Sequence, residues 1–587
     1  GSPERRRVRA ILDAAAEYFE NTLIQYVVQL RGRAPAASLQ PDFEADVLYA
    51  AELWDAYTDG RFWPRLAPVL RDACDGYYWC DSHWSGLFDA LHHDHGTASP
   101  DAPGLGQSAL AAGAADLLAM RTQSMIAGWY AGRPAPVAVR NLDIRQVNRL
   151  WQRIVYDRGG SESSDPFDAP LARNLDNGWI VMRSNWRPGA TVVTFDAGQP
   201  YWLNRQHYDA GQFQIIRKGR LAPDSGDDVL TEAVPVRGGR QGIGAEDDDF
   251  ERYAAATVAH NCLLIRDPRN RLRMARRGWR ALGNQRLIDG DWTDVASGID
   301  GTDRQTGRLI AFETNAYYSY AACDLAPAYD AGAVHLYDRH LLFVGGRWLF
   351  VLDRVVTARP DIVKTWLLHL PNRPLLDGRD MDSQYRRKGD NNAAGVWQPA
   401  SFEGWLSTDA GDGRLYVRTL LPEQRRWHLV GGPQRRLEIE QGAGRGTSYV
   451  GGEQDGFEYR LQPASAGSGS NAWFRLGKPL ALGRAFGVGS NWGRLEVEPM
   501  NVAAEHSFVH MLVPVDRRDA TPPEVDVRLE PGRVRVTGRI GANTYEVTLS
   551  PRGPDIGRVV VTSGTRTVFD QRLTKTVQPN PPIRVHK

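Results

Sequence analysis

The sequence predicts an α+β protein of several domains, in which a helical part is followed by antiparallel β-sheets. In residues 5–158, apolar side chains recur every three or four positions, which is typical of successive amphipathic helices. After residue 177, short β-branched and aromatic runs are separated by Gly, Pro, Asn and Asp, which is typical of an antiparallel sandwich. Helices first and strands afterwards, rather than alternation, disfavour a doubly wound parallel sheet.

The helical part is expected to consist of several separate helices. The first carries apolar residues at regular spacing from Leu12 to Leu30, and the later helices cover residues 43–57, 61–74, 107–130 and 144–156. Residues 97–106 are rich in Pro, Gly and Ala and predict a loop, and residues 159–170 predict the linker that leaves the helical part.

The β part is expected to begin with separate short strands. These are predicted at residues 179–184, 191–195, 212–216, 257–265, 341–343, 348–351 and 365–369. Further strands are expected within residues 414–516, and the alternating stretch 524–573 predicts a small β unit of its own. The resulting domains are 1–170, 171–400 and 401–587.

Composition and charge exclude several classes of function. The 587 residues contain 71 Lys and Arg against 70 Asp and Glu, so we expect no nucleic-acid partner and no attraction to an anionic membrane. The longest apolar stretch, residues 340–356, is broken by Arg347, Asp353 and two glycines, and predicts two strands and a turn instead of a membrane span. Walker, dinucleotide-binding, zincin and nucleophile-elbow motifs are absent from the sequence. The 18 Trp and 21 Tyr suit either sugar binding or an aromatic core.

The four cysteines leave the redox compartment open. Cys74 and Cys80 lie close enough in sequence for a disulfide in an exported protein, and free buried thiols are the alternative. Residues 1–3 have the form of a cloning remnant, so we expect that a signal peptide was removed before them.

The segment with the richest chemistry is residues 204–226. If it is extended, Arg205, His207 and Asp209 share one face, because side chains alternate along a strand. Together with His260, the residues His207 and Asp224 form a set of two imidazoles and one carboxylate, which suits zinc with a fourth position for water. From the residues alone, three groups so far apart in sequence are more often unrelated.

These segments resemble the heparinase II/III-like family of polysaccharide lyases. The resemblance rests on His-x-Asp-Ala-Gly-x-Phe-x-Ile at 207–215, on Lys-Gly-x-Leu-Ala-x-Asp-Ser-Gly at 218–226 and on Thr-x-Ala-His-Asn at 257–261. Flanking segments agree with it in order, so that the resemblance extends over about residues 175–516. These flanking segments are 178–186, 353–355, 364–369, 413–422 and 493–510.

The resemblance implies an N-terminal (α/α) toroid followed by antiparallel β-sandwich domains. Residues 1–170 are few for a complete toroid, so we expect either an incomplete toroid or the loss of a part of the chain before Gly1. The resemblance also implies a structural zinc on His207, Asp224 and His260 and an exported protein, secreted or periplasmic. Its partner would be an anionic polysaccharide or oligosaccharide.

The activity that the resemblance implies is β-elimination on a uronic-acid polysaccharide, in a cleft between toroid and sandwich. Many relatives have a catalytic histidine where this chain has Arg205, and a guanidinium cannot act as a general base. Arg205 is therefore expected to bind the uronate carboxylate. Tyr253, Tyr77, Tyr78 and His83 are the candidates for proton transfer, and packing in the protein core is the alternative for each. A uronate C5-epimerase and a non-catalytic carbohydrate-binding protein are the alternative functions.

Overall fold

The β part of the chain accounts for most of the residues that the structure describes. The structure is a computed structural model, and it describes residues 3–16, 19, 54–55, 57–64, 170–174, 179–186, 189–198, 207–224, 233–235, 257–269, 283–286, 306–372, 374–379, 396–397, 402–431, 436–440, 451–452, 456–462, 473–476, 493–519 and 521–581. The predicted toroid lies almost entirely outside these residues. Its first helix is present as α1 (Pro3–Ala16).

Strands of the described residues form five sheets. The first sheet has five strands in sequential order, and all of its pairings are antiparallel. Its strands are β1 (Ala172–Asn174), β2 (Trp179–Arg183), β3 (Val192–Asp196), β4 (Phe213–Ile216) and β5 (Arg220–Ala222).

The large sheet has eight antiparallel strands and takes them from both sides of residue 400. In spatial order these are β13 (Leu375–Leu376), β15 (Leu406–Ala410), β16 (Gly413–Leu421), β23 (Glu505–Asp516), β11 (Trp348–Thr357), β10 (Val334–Val344), β9 (Tyr318–Asp324) and β8 (Arg308–Thr314).

The central sheet has five antiparallel strands. In spatial order these are β14 (Val396–Trp397), β17 (Arg425–Gly431), β22 (Gly493–Pro499), β12 (Val363–Leu370) and β7 (Leu263–Arg266).

A minor sheet and a C-terminal sheet complete the β part. The minor sheet consists of β18 (Arg436–Glu440), β20 (Gly456–Gln462), β21 (Trp473–Leu476) and β6 (Ala233–Pro235), with β19 (Gly451–Gly452) paired to β20. The C-terminal sheet is a meander of β24 (Val525–Glu530), β25 (Arg533–Ile540), β26 (Asn543–Leu549), β27 (Gly557–Ser563) and β28 (Arg566–Arg572). Among the described strands, β18 and β20 form the one parallel pair. The prediction of an antiparallel β assembly is therefore confirmed.

The large sheet is covered on both faces. One face contributes Leu341 and Val351 to a core shared with Phe213 of the first sheet and Trp366 of the central sheet. The opposite face contributes residues such as Leu342 and Phe350 to a second core, which it shares with Val547 and Val561 of the C-terminal sheet. Successive residues of β10 and β11 thus enter different cores, which explains why their sequences are continuously apolar.

The predicted two strands and turn at residues 340–356 are confirmed as the β10–β11 hairpin. Val344 pairs with Trp348 at the end of the ladder. Gly345 and Gly346 both have positive φ, which is the backbone conformation that a type I′ turn requires. Glycine has no Cβ and therefore adopts a positive φ at the lowest cost. The glycine pair thus determines where the chain turns between the two apolar strands. No helix among the described residues is long and apolar enough to cross a membrane.

The C-terminal sheet is attached to the large sheet by polar contacts as well as by its core. Arg354 of β11 donates hydrogen bonds to the carbonyls of Ser550, Gly553 and Asp555 in the loop between β26 and β27. After β28, the Thr574 backbone N–H donates to the buried Glu313 carboxylate of β8, which also accepts a hydrogen bond from the Tyr318 hydroxyl. The two layers are therefore connected by polar contacts at two separate places.

A buried histidine in the second core makes stability depend on pH. Burial, together with the nearby Arg354 charge, lowers the pKa of His340 to about 3. Its Nδ1 lies 2.9 Å from the Tyr320 hydroxyl oxygen, so the neutral ring is hydrogen-bonded in the native protein. In the unfolded chain a histidine has a pKa of about 6.5. Below that pH the unfolded chain takes up a proton that the native protein does not.

We therefore expect His340→Gln to make the loss of stability on acidification shallower. The free energy of unfolding should fall by up to about 1.4 kcal/mol less per pH unit between pH 6 and pH 4, since one proton uptake is removed. Denaturant titrations of both proteins at several pH values measure this slope. Between pH 7 and pH 8 the difference between the two proteins should be constant, because the ring is neutral in both states there. Parallel slopes below pH 6 would contradict the assignment.

Candidate metal centre

Three side chains with metal-ligating atoms meet at one end of the first sheet. His207, Asp224 and His260 each offer one ligand atom, and these atoms all lie within 4.8 Å of one another. Their exposed fractions are 2%, 0% and 0%. Among the described residues this is the one group of three such side chains, and it consists of the three residues that the sequence analysis selected.

His207 lies in a turn that leads into β4. The extended chain that would put Arg205, His207 and Asp209 on one face is not present in the described part, residues 207–212. The Gln212 N–H donates to the Asp209 carbonyl at 2.7 Å and closes a turn, and Gly211 within that turn has a φ of 89°. A strand begins only at Phe213, whose side chain and that of Ile215 enter the core as expected.

His260 also lies in a turn, between a 3₁₀ segment and β7. A strand over residues 257–265 was predicted, but Thr257–Ala259 form a 3₁₀ helix and the strand begins at Leu263. Two backbone hydrogen bonds close this turn. The His260 N–H donates to the Thr257 carbonyl, and the Cys262 N–H donates to the His260 carbonyl. Asp224 follows β5 directly, after Pro223. All three candidate ligands thus lie in segments just before or just after a strand, and none lies within a strand.

Gln285 and Thr257 connect the turn of His207 to the turn of His260. The Gln285 side chain accepts a hydrogen bond from the Ala210 N–H at 3.0 Å and donates one to the Ala210 carbonyl at 2.8 Å. The Thr257 hydroxyl donates to the Tyr208 carbonyl at 2.7 Å and accepts from the Gln285 N–H at 2.9 Å. These bonds satisfy backbone groups that neither turn could satisfy by itself.

Asn261 joins all three ligand-bearing segments. Its side-chain amide donates to the carbonyls of Phe213, at 2.8 Å, and of Pro223, at 3.1 Å. Its backbone N–H donates to the side-chain oxygen of Gln212, and its own side-chain oxygen accepts the His369 N–H at 2.6 Å. The segment of His260 is thereby bonded to the segments of His207 and Asp224 next to the ligands themselves.

The contact between the ligands suits a divalent cation. His260 Nδ1 and Asp224 Oδ1 are 2.8 Å apart, which is a hydrogen-bond distance, so a proton lies between them. The rings of His207 and His260 have centroids 5.0 Å apart. Metal ligands bind as neutral imidazole and as carboxylate, so a cation would take the place of that proton. Two imidazoles and a carboxylate are a ligand set that zinc accepts.

Neighbouring groups are held neutral by burial. Burial raises the pKa of Cys262 well above its usual value, and the thiol donates to the Asp209 carbonyl at 3.4 Å. Burial, followed by the Arg494 charge, lowers the pKa of His369 to about 3. The centre therefore has no thiolate and no imidazolium from these two residues beside it.

The remaining predicted site residues lie outside the described residues. These are Arg205, Tyr253, Tyr77, Tyr78 and His83, together with Cys74 and Cys80. The other two cysteines, Cys262 and Cys323, are buried free thiols.

Sequence reasoning missed the supporting residues of the centre. Asn261 stands in the Thr-x-Ala-His-Asn pattern beside His260, so its position was a usable signal. Gln285 contacts Ala210, which lies 75 positions away in the chain, and no local pattern marks it.

Comparison with known proteins places the centre inside a recognised domain. The family model described as Heparinase II/III-like, C-terminal matches residues 168–447, a segment that includes all three candidate ligands. No match was found among the curated proteins.

Solved structures that the comparison matched to this chain include a crystal structure of heparinase III, at 12% sequence identity and a TM-score of 0.49, covering 95% of this chain and 62% of that chain. Another is the heparan sulfate lyase HepC from Pedobacter heparinus, at 13% identity and a TM-score of 0.40, covering 89% of this chain and 65% of that chain. This chain spans less than two thirds of the length of either. The similarity of this chain to the heparinase II/III-like family therefore rests on residues 168–447, a little less than half of its length.

Proposed function

We propose that the protein is a polysaccharide lyase that cleaves a uronic-acid-containing polysaccharide by β-elimination. The observation that carries the proposal is the buried His207, Asp224 and His260 cluster within the heparinase II/III-like segment. A polymeric, anionic substrate has to be met outside the cytoplasm, so the proposal includes a secreted or periplasmic location.

Zinc is the proposed metal, and its proposed role is structural. The cluster residues are at most 2% exposed, so a substrate has no access to a metal held between them. A bound zinc would hold the segments of His207, Asp224 and His260 together and would supply folding free energy.

The proposed reaction needs three groups around the uronate. One neutralises the carboxylate at C6, one takes the proton from C5, and one gives a proton to the oxygen that leaves C4. The C5–H and C4–O bonds break, and a double bond forms between C4 and C5. Arg205 is the proposed carboxylate ligand. The charge of its guanidinium is permanent, and two parallel N–H groups of the guanidinium can donate to the two oxygens of a carboxylate. Arg205 precedes His207 by two residues, so a metal bound to His207 would restrict where Arg205 can lie.

For the two proton transfers we propose residues from both parts of the chain. Tyr253 precedes His260 by seven residues in the sequence, and Tyr77, Tyr78 and His83 stand in the segment that is predicted to be helical. A phenol and an imidazole are groups that can take and give protons in such a reaction.

A non-catalytic carbohydrate-binding protein is the second candidate function. The observation that favours it is the identity of residue 205, because arginine retains carboxylate binding and excludes proton abstraction at that position.

We expect the purified protein to generate unsaturated uronate from one polysaccharide of an anionic panel. A panel of alginate, glucuronan, heparan sulfate, chondroitin sulfate and hyaluronan covers the main uronate linkages, and the rise in ultraviolet absorbance measures the new double bond. Arg205→Ala should abolish the rise, and Arg205→Lys should retain a part of it, because a point charge still neutralises the carboxylate.

Other outcomes separate the alternatives. Deuterium from solvent entering C5 without chain cleavage would identify an epimerase. Binding of a polysaccharide with neither cleavage nor exchange would identify the binding protein and would contradict the lyase.

We expect His207→Ala to lose zinc and thermal stability together. The substitution removes a ligand, and structural zinc contributes directly to the folding free energy. Elemental analysis and thermal unfolding of the same sample measure both effects. His335→Ala, at an exposed histidine of β10, is the matched control and should keep its zinc. Full zinc content in His207→Ala would contradict the metal assignment.

A further inference from the structure

A buried arginine on the large sheet reaches both turns that carry the histidine ligands. Arg339 and Asp353 lie opposite each other on β10 and β11, and the side chains of both are fully buried. Arg339 Nε donates to Asp353 Oδ1 at 2.7 Å and Nη2 donates to Asp353 Oδ2 at 3.0 Å. This is the two-bond arrangement in which a guanidinium is held most firmly by a carboxylate.

The remaining nitrogen of the same guanidinium contacts the backbone of the two turns that carry His207 and His260. Arg339 Nη1 donates to the Gly211 carbonyl and to the Asn261 carbonyl, each at 2.6 Å. Gly211 belongs to the turn that follows His207, and Asn261 follows His260 directly. One nitrogen atom therefore bridges the two turns, and the carboxylate on the other side determines its position.

The backbone at Gly211 is shaped for this approach. A Cβ atom at this residue would lie 2.4 Å from Leu325 Cδ1, so a side chain here would require Leu325 to move. Gly211 also has a φ of 89°, which disfavours residues other than glycine. The turn that presents the Gly211 carbonyl to Arg339 therefore favours glycine at this position.

A lysine could not make the same contacts. Arg339 makes four hydrogen bonds in two opposite directions, and an ammonium group is a point charge at the end of a flexible stem. Burial by itself would lower the pKa of Arg339, but Asp353 and other neighbours raise it overall, so the charge is retained.

We propose that Arg339 is a positioning residue, which orders the turns of His207 and His260 relative to each other before any metal binds. The inference rests on the metal centre of the proposed function, and it adds a supporting residue that contacts no ligand side chain. Groups of this kind behind a metal ligand typically change metal affinity by about 10- to 100-fold.

The test compares the double variant Arg339→Met, Asp353→Leu with the wild-type protein. Both charges are replaced together, because removing one alone would leave the other buried without a partner, whereas apolar replacement of a buried pair is often tolerated. The matched control is Arg414→Met, Asp409→Leu. That pair is also a two-bond contact across neighbouring strands of the large sheet, at Nε–Oδ1 2.6 Å and Nη2–Oδ2 2.9 Å, and it does not contact the ligand turns.

Two measurements are made on each protein. Amide hydrogen exchange of the metal-free protein should become at least about tenfold faster in residues 207–212 and 257–262 of the Arg339 variant, with the C-terminal sheet unchanged. The affinity for Co²⁺, titrated through its visible absorption bands, should fall by about 10- to 100-fold, with altered bands that report changed ligand geometry. The control variant should match the wild-type protein in both.

Two other results would contradict a part of the proposal. Unchanged exchange in both turns together with wild-type Co²⁺ binding would overturn the role of Arg339. Failure of the wild-type protein to bind Co²⁺ would overturn the metal centre, while the exchange measurement would still decide whether Arg339 orders the turns. If the double variant does not fold, Arg339→Lys is measured in the same way, since it keeps the charge opposite Asp353 and loses the bridge.

Discussion

A guanidinium that is fully buried needs a carboxylate and further acceptors, and meeting that need connects the parts of this β structure. Arg339 and Asp353 are brought together by register alone, because they face each other on two long strands. Arg339 Nη1, which does not contact the carboxylate, donates to the carbonyls of Gly211 and Asn261. These two residues lie in turns that are not part of the large sheet. The most regular part of the molecule thereby determines where its least regular buried segments lie. By contrast, the pair of Arg558 and Asp570 lies at the surface and connects only neighbouring strands.

Turns are uncommon inside a protein because their backbone groups do not pair with one another, and here side chains substitute for a neighbouring strand. The Gln285 amide pairs with both polar groups of Ala210, as a backbone partner would. Asn261 does the same for carbonyls at the ends of β4 and β5. Buried polar networks of this kind favour a single arrangement, because any alternative leaves groups without partners. The three candidate ligands therefore lie on hydrogen-bonded turns, and a bound cation would add to the contacts that these side chains already make.

The parts of the fold that could be predicted are those in which local pattern and tertiary environment agree. The β10–β11 hairpin is one example, since an apolar stretch with a glycine pair has few other solutions. The turns at 207–212 and 257–262 could not be predicted, because the same apolar residues that fill the core after them also satisfy a strand pattern. The grouping of His207, Asp224 and His260 came from the resemblance to a family, as spacing alone left the three residues unrelated. Gln285 and Arg339 act across the chain, and no local signal distinguishes them from other polar residues.

The order of strands shows that the segment matched by the family model is shorter than the segment that forms complete sheets. The family segment ends at residue 447, yet β23 lies between β16 and β11 in the large sheet, and β22 lies between β17 and β12 in the central sheet. Cut at the family boundary, both sheets would lose an interior strand, and each would be divided into halves with unpaired edges. Recombination at that boundary would therefore transfer a ligand cluster without the sheets that support it. Such a domain has to be exchanged between proteins together with its downstream strands.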